Sequence, residues 1–170
     1  KPEYWSRYYD YLLRKPSWSI TAVEDINSST DEIMNALTNP RKGVAGERMG
    51  MVFGYVQSGK TAHYIGMINK AYDAGYRIVI VLSGIHNSLR SQTQSRIDEE
   101  VLGYETSLES IGDMTRERNV IGVGVGSHNQ VETVAQSITT RDEKGDVNKK
   151  TEGVSMMPPF MIVTKKNASV

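Results

Sequence analysis

The chain has 170 residues, with 20 Lys plus Arg set against 20 Asp plus Glu, 38% apolar residues and no cysteine. This is about one domain of ordinary globular composition; zero net charge excludes a globally basic partner surface, so any basic site must be local. Lack of cysteine excludes disulfides and thiolate chemistry, and the longest apolar run, 78–82, is too short for a bilayer, so a cytoplasmic protein with no membrane partner is expected.

In chain order, Trp5, Tyr8, Tyr9 and Leu12 recur at i, i+3, i+4 and i+7 and predict a helix ended by Pro16. Ser29-Thr30-Asp31-Glu32 has capping-box spacing and predicts the start of a second helix, carrying Ile33, Met34 and Leu37 inward and stopped at Asn39-Pro40. These elements form an expected helical N-terminal segment, residues 1–45. Residues 46–170 then alternate strand and helix. Met51-Val52-Phe53 reads as a buried strand. Thr61 to Ala74 reads as a helix burying Ile65, Ile68 and Tyr72 and closed by Gly75. Arg77 to Ser83, apolar at five consecutive positions, reads as a strand covered on both faces of a parallel sheet. Asn87 or Ser88 caps a third helix, with Leu89, Ile97 and Val101 inward and an end at Gly103. Residues 119–127 read as a loose strand, Val131 to Ile138 as a short helix, Thr139 to Ser155 as an exposed mobile loop, and Phe160 to Val163 as a short buried strand. The alternation predicts an α/β layer structure.

One motif stands out. Gly54-Tyr55-Val56-Gln57-Ser58-Gly59-Lys60-Thr61 matches G-x-x-x-x-G-K-[ST] at every fixed position. A triphosphate presents a cluster of anionic oxygens, and a loop between strand and helix can curl its backbone N–H groups around them. The glycines permit that turn, the helix directs its positive end at the phosphates, Lys60 adds a mobile cation, and the Thr61 hydroxyl suits Mg2+. ATP and Mg2+ are the expected ligands, with Lys60 and Thr61 as catalytic groups. A chance match is the competing reading. A nucleotide hydrolase also needs a strand ending in an acidic residue to hold the metal. None of RIVIVLS, VIGVGVGS and FMIVTKKN provides one, so the chain is expected to be the front part of a larger protein and inactive alone.

FGYVQSGKT together with GIHNSLRSQTQ resembles the helicase-like ATPase region of the Z1-domain endonuclease family, associated with restriction and phage defence. The likeness extends to the Trp5 and Thr30 helices and to IVTKKNASV, and the family often carries histidine at the position of Tyr55. It implies a RecA-like P-loop NTPase lobe of helicase superfamily two: a partial parallel sheet with helices on both faces. In the full protein, an ATP hydrolase and endonuclease, a second lobe and the Z1 domain would follow as the missing C-terminal partner. By the same analogy His86, Asn87, Arg90 and Gln92, after the RIVIVLS strand, contact DNA through its backbone; helix capping and solvation are the plainer alternative. Lys165 and Lys166, just past the last strand, could line a cleft or simply be solvated. The aromatic cluster Tyr4, Trp5, Tyr8, Tyr9 and Tyr11 is read as core packing before base stacking. A P-loop kinase or other phosphotransferase unrelated to nucleic acid is the alternative function, and an interaction module with a degenerate loop is a third. His63, His86 and His128 lack metal-ligand spacing.

Overall fold

A computed structural model of the chain describes residues 3–43, 46–53, 59–107, 119–128, 134–144 and 159–166. The chain divides into two compact units, Glu3–Tyr76 and a second beginning at Arg77.

The first unit is three helices: α1 (Tyr4–Arg14), α2 (Ile20–Ala36) and α3 (Lys60–Ala74). The 3.6-residue period of α1 turns Tyr4, Tyr8 and Leu12 inward, each about 1% exposed. The α1 N-terminus is capped from another helix: the Asp73 carboxylate of α3 accepts from the amides of Tyr4 (3.1 Å) and Trp5 (2.8 Å). The chain leaves the helix at Lys15, ahead of Pro16. Helix α2 begins well before the expected capping box. Ser19 is its cap, its hydroxyl accepting from the Ala22 amide at 3.1 Å. Ser29 and Thr30 lie inside the helix instead, where both hydroxyls donate to the Ile26 carbonyl. Helix α3 matches its expected span, burying Ile65, Ile68 and Tyr72 and closing at Gly75.

A buried cation ties this unit together. Lys70 of α3 donates to the Asn27 carbonyl (2.8 Å) and side chain (2.9 Å), pairs with Asp31 at 2.6 Å, and lies 4.3 Å from the Trp5 ring centroid. The ammonium is thus offered carbonyls, a carboxylate and a π face, the condition for holding it away from water. Met51-Val52-Phe53 differ from expectation. They form no strand, and Met51 and Phe53 are 76% and 86% exposed.

The second unit holds a three-stranded parallel sheet in the order β1 (Ile78–Ser83), β3 (Phe160–Lys165), β2 (Gln136–Ser137). In register, Ile78 faces Phe160 and Ser83 faces Lys165, while Gln136 faces Phe160. The helix α4 (Asn87–Ile97) packs against β3 and β1. Met161 and Val163 are fully buried, but Ile78, Ile80 and Leu82 are each about 60% exposed, so β1 is not covered on both faces as its apolar run suggested. Helix α4 continues as a wider π turn, Asp98–Leu102, that buries Val101 and Leu102. Leu89 of α4, expected inward, is exposed; Arg90, Gln94 and Ile97 take the buried positions.

Residues 119–128 are no loose strand. One antiparallel bridge, Val120 to Tyr104, leads into turns and a short 3-10 segment, Val125–His128. This strip lies directly on the π turn, where Val123 and Gly124 amides both donate to the Glu99 carbonyl (2.8 and 2.9 Å). At Gly122, with φ +62, a Cβ would overlap the backbone of Glu99, so glycine is required by close approach. The expected helix at 131–138 is replaced, in its described part, by β2. Of the expected mobile loop, Thr139 and Thr140 are fully buried; 145–155 lies outside the described residues.

Candidate functional site

The G-x-x-x-x-G-K-T loop is described only from its second glycine. Gly54, Tyr55, Val56, Gln57 and Ser58 lie outside the described residues. Gly59 adopts φ +78, ψ 12, and the chain enters α3 at Lys60, so the Gly-Lys-Thr triplet sits at the helix start. The αL conformation is the one glycine tolerates at no steric cost, and Gly59 contributes no side-chain cap to the first turn. A 15-residue helix beginning this way presents backbone N–H groups and the positive end of its dipole at Lys60, Thr61 and Ala62. Lys60 is exposed and Thr61 half-buried. This end of the helix can receive an anion, with a cation and a hydroxyl beside it.

A cleft of about 320 Å³ adjoins this helix start. Its walls come from α2 and its approach (Trp18, Ala22, Asp25, Ile26, Ser29), from the segment at Val52 and Phe53, and from Gly59, Lys60 and His63. Trp18 lies against the loop: a Cβ on Gly59 would come within 2.8 Å of the indole ring. On α3, His63 faces α2, with Nε2 3.1 Å from the Ser29 hydroxyl. Burial, and secondarily the Lys70 charge, hold the His63 pKa below its usual value, so the ring is neutral at pH 7. Trp18 is not legible from the sequence while the helix is started at the Ser29 capping box. Once Ser19 is the cap, Trp18, Ala22, Asp25 and Ser29 fall at spacings of four, three and four, one helical stripe.

The aromatic cluster of α1 is packed. Tyr4 and Tyr8 are buried, Tyr4 meets Tyr72 at 5.1 Å between ring centroids, and Trp5 meets Tyr8 and Tyr9 at 6.1 and 5.8 Å. These are tilted contacts of a core and its margin, which leave no open platform at Tyr4 or Tyr8.

In the second unit the structure brings together two groups that lie far apart in the sequence. The carboxyl ends of β1 and β3 are paired at Ser83 and Lys165, and the Lys166 amide donates to the Ser83 carbonyl at 3.2 Å. Lys165 reaches Asn87 Oδ1 at 2.7 Å. His86, Asn87 and Lys166 are exposed there, and Gln92 is exposed farther along α4. Arg90 is placed differently from expectation. It is fully buried and donates to the carbonyls of Thr140 (2.7 Å) and Asp142. Burial removes its guanidinium from the surface a polyanion would meet, so its role in the fold is to fasten residues 140–142 to α4.

Behind Arg90 lies a buried polar network. Gln94 donates to Asp98 (2.9 Å) and Ser137 (3.1 Å), and accepts from Thr139 at 2.7 Å; the Thr139 oxygen in turn accepts from the Val163 amide of β3 at 2.9 Å. The amide and hydroxyl of Thr106 donate to the other Asp98 oxygen (2.9 and 2.7 Å). Burial pushes the Asp98 pKa up to about 6, although the three donors and the Arg141 charge oppose it. Arg141 also pairs with Glu105 at 2.7 Å. Among the described residues, no three His, Asp or Glu side chains converge as metal ligands, and no helix is long and apolar enough to cross a membrane.

Compared with family models, with curated proteins and with solved structures, the chain matches none.

Proposed function

We propose that the chain is a nucleotide-binding lobe of a helicase-like DNA motor, in which Gly54 to Thr61 hold the phosphates of Mg-ATP. The observation that carries the reading is local: a G-x-x-x-x-G-K-T sequence whose second glycine is αL and whose Lys60 opens a long helix. Residue chemistry and helix polarity favour the same ligand, a polyphosphate. Lys60 neutralises phosphate charge, and Thr61 is the residue that would ligate magnesium; the bound metal supplies charge neutralisation at the phosphate oxygens. The exposed His86, Asn87 and Lys166, with Lys165, offer donors and positive charge at the carboxyl ends of two parallel strands, the place where open α/β sheets gather ligands, and Gln92 adds an exposed amide farther along α4. On this reading they grip the DNA backbone without reading sequence. Turnover, translocation and cleavage belong to the larger protein.

The test is thermal unfolding of the full chain with and without Mg-ATP. At a hundredfold excess over Kd, ligand linkage raises stability by about 2.7 kcal/mol. An unmoved transition at millimolar Mg-ATP contradicts the assignment. A DNA oligonucleotide titrated over a range of salt separates the motor from a kinase. A motor lobe binds with a falling log K against log salt that flattens in Lys165→Ala/Lys166→Ala, whereas a kinase shows no DNA binding.

A further inference from the structure

We propose that the cleft beside Gly59 receives the purine base of the nucleotide, stacked on Trp18, with the Asp25 carboxylate accepting from the base's exocyclic amino group. The inference rests on the phosphate-loop reading and adds to it the residues that recognise the base.

Away from Lys60, the cleft has the chemistry of a base site. Its volume of about 320 Å³ is at the lower end for small-molecule pockets, enough for a purine with part of its sugar. Trp18, Phe53 and Ile26 give it apolar walls. Its polar groups are a carboxylate, Asp25, a hydroxyl, Ser29, that lies 3.1 Å from the His63 ring, and, at the helix start, the Lys60 side chain. A carboxylate repels phosphate and accepts hydrogen bonds, so it suits the uncharged, donor-bearing end of a nucleotide. Lys60 stands at the same cleft as the first residue of α3, so a ligand with phosphates at the helix start can extend its base along the α2–α3 groove. The indole of Trp18 approaches Gly59 through its Cη2 edge and forms part of the cleft wall. Indole is the largest aromatic face in the side-chain repertoire, and stacking strength rises with ring area, which favours purine over pyrimidine.

Three probes divide the outcomes: Mg-ATP, Mg-UTP and Mg-tripolyphosphate, each titrated into the full chain. Wild type should bind ATP at least tenfold more tightly than tripolyphosphate, and more tightly than UTP, whose uracil turns a carbonyl where adenine has an amino group. Trp18→Ala should bring ATP affinity down to that of tripolyphosphate while leaving tripolyphosphate unchanged, and Trp18→Phe should keep most of the difference. Asp25→Ala, at an exposed helical position, should reduce the ATP-over-UTP preference to the part that stacking on Trp18 supplies. Tripolyphosphate binding with ATP no tighter, or unaltered ATP affinity in folded Trp18→Ala, overturns this inference and leaves the phosphate loop standing. If Trp18→Ala fails to fold, an unchanged ATP-to-UTP ratio in Asp25→Ala overturns it equally. Failure of wild type to bind either triphosphate probe overturns the loop reading and this inference together.

Discussion

Two buried ionisable residues show how environment, more than residue type, decides a role. Arg90 has the chemistry of a phosphate ligand, yet its guanidinium is spent on main-chain carbonyls in the interior. Arg90→Ala should therefore cost about 3 kcal/mol of unfolding free energy, since buried carbonyls lose charge-assisted partners and a large cavity opens. Urea unfolding measures it; a loss under about 1 kcal/mol, the size of a single neutral hydrogen bond, would contradict the clamp. Asp98 is the second case. Its folded pKa of about 6 lies above the ordinary 3.8, so the folded state binds more protons than the unfolded chain between those values. Stability then falls as pH rises from about 4 to 6, by roughly 3 kcal/mol, because each tenfold difference in proton affinity between the two states is worth about 1.4 kcal/mol. Melting temperatures across that range should drop in wild type and change less in Asp98→Asn; equal slopes would remove Asp98 as the cause.

At the scale of elements, legibility followed the source of each element's stability. Helix α3 is readable because Ile65, Ile68 and Tyr72 recur at the helical period and are buried as such, and strand β3 because Phe160 to Val163 form one short apolar run in which Phe160, Met161 and Val163 are buried. The start of helix α2 is not, because two competing caps, Ser19 and Ser29, lie in one stretch, and local spacing cannot tell which hydroxyl ends up beside free amides. Ser19 wins because the longer helix also buries Val23 and Ile26. Ser19→Ala should cost about 1 kcal/mol in chemical denaturation, whereas a comparable loss should not follow from Ser29→Ala, which caps nothing. Strand β2 and residues 139–142 are unreadable for a different reason. Their burial is polar, built on bonds from Thr139 to Gln94 and from Arg90 to Thr140, partners 45 and 50 residues distant. No periodicity records such pairings. In the candidate site, Gly59, Lys60 and Thr61 are legible from their motif, Trp18 is hidden by the ambiguous helix start, and Gly54 to Ser58 lie outside the described residues.

For the molecule as a whole, the two compact units each carry one half of the proposed activity. The three-helix unit brings Lys60, Thr61 and the Trp18 cleft; the sheet unit brings the basic ends of β1 and β3. Neither the exposed apolar face of β1 nor the open Met51-Val52-Phe53 follows the simplest layered expectation, in which both would be internal strands. The nucleotide assignment stands on the helix start and is judged there. Calorimetric titration of Mg-ATP into wild type and Lys60→Ala is the direct measurement. Saturable one-to-one binding by wild type, weakened at least tenfold in the variant with its fold intact, is the predicted result. Equal affinities in the two proteins, or no heat of binding in wild type, would contradict it.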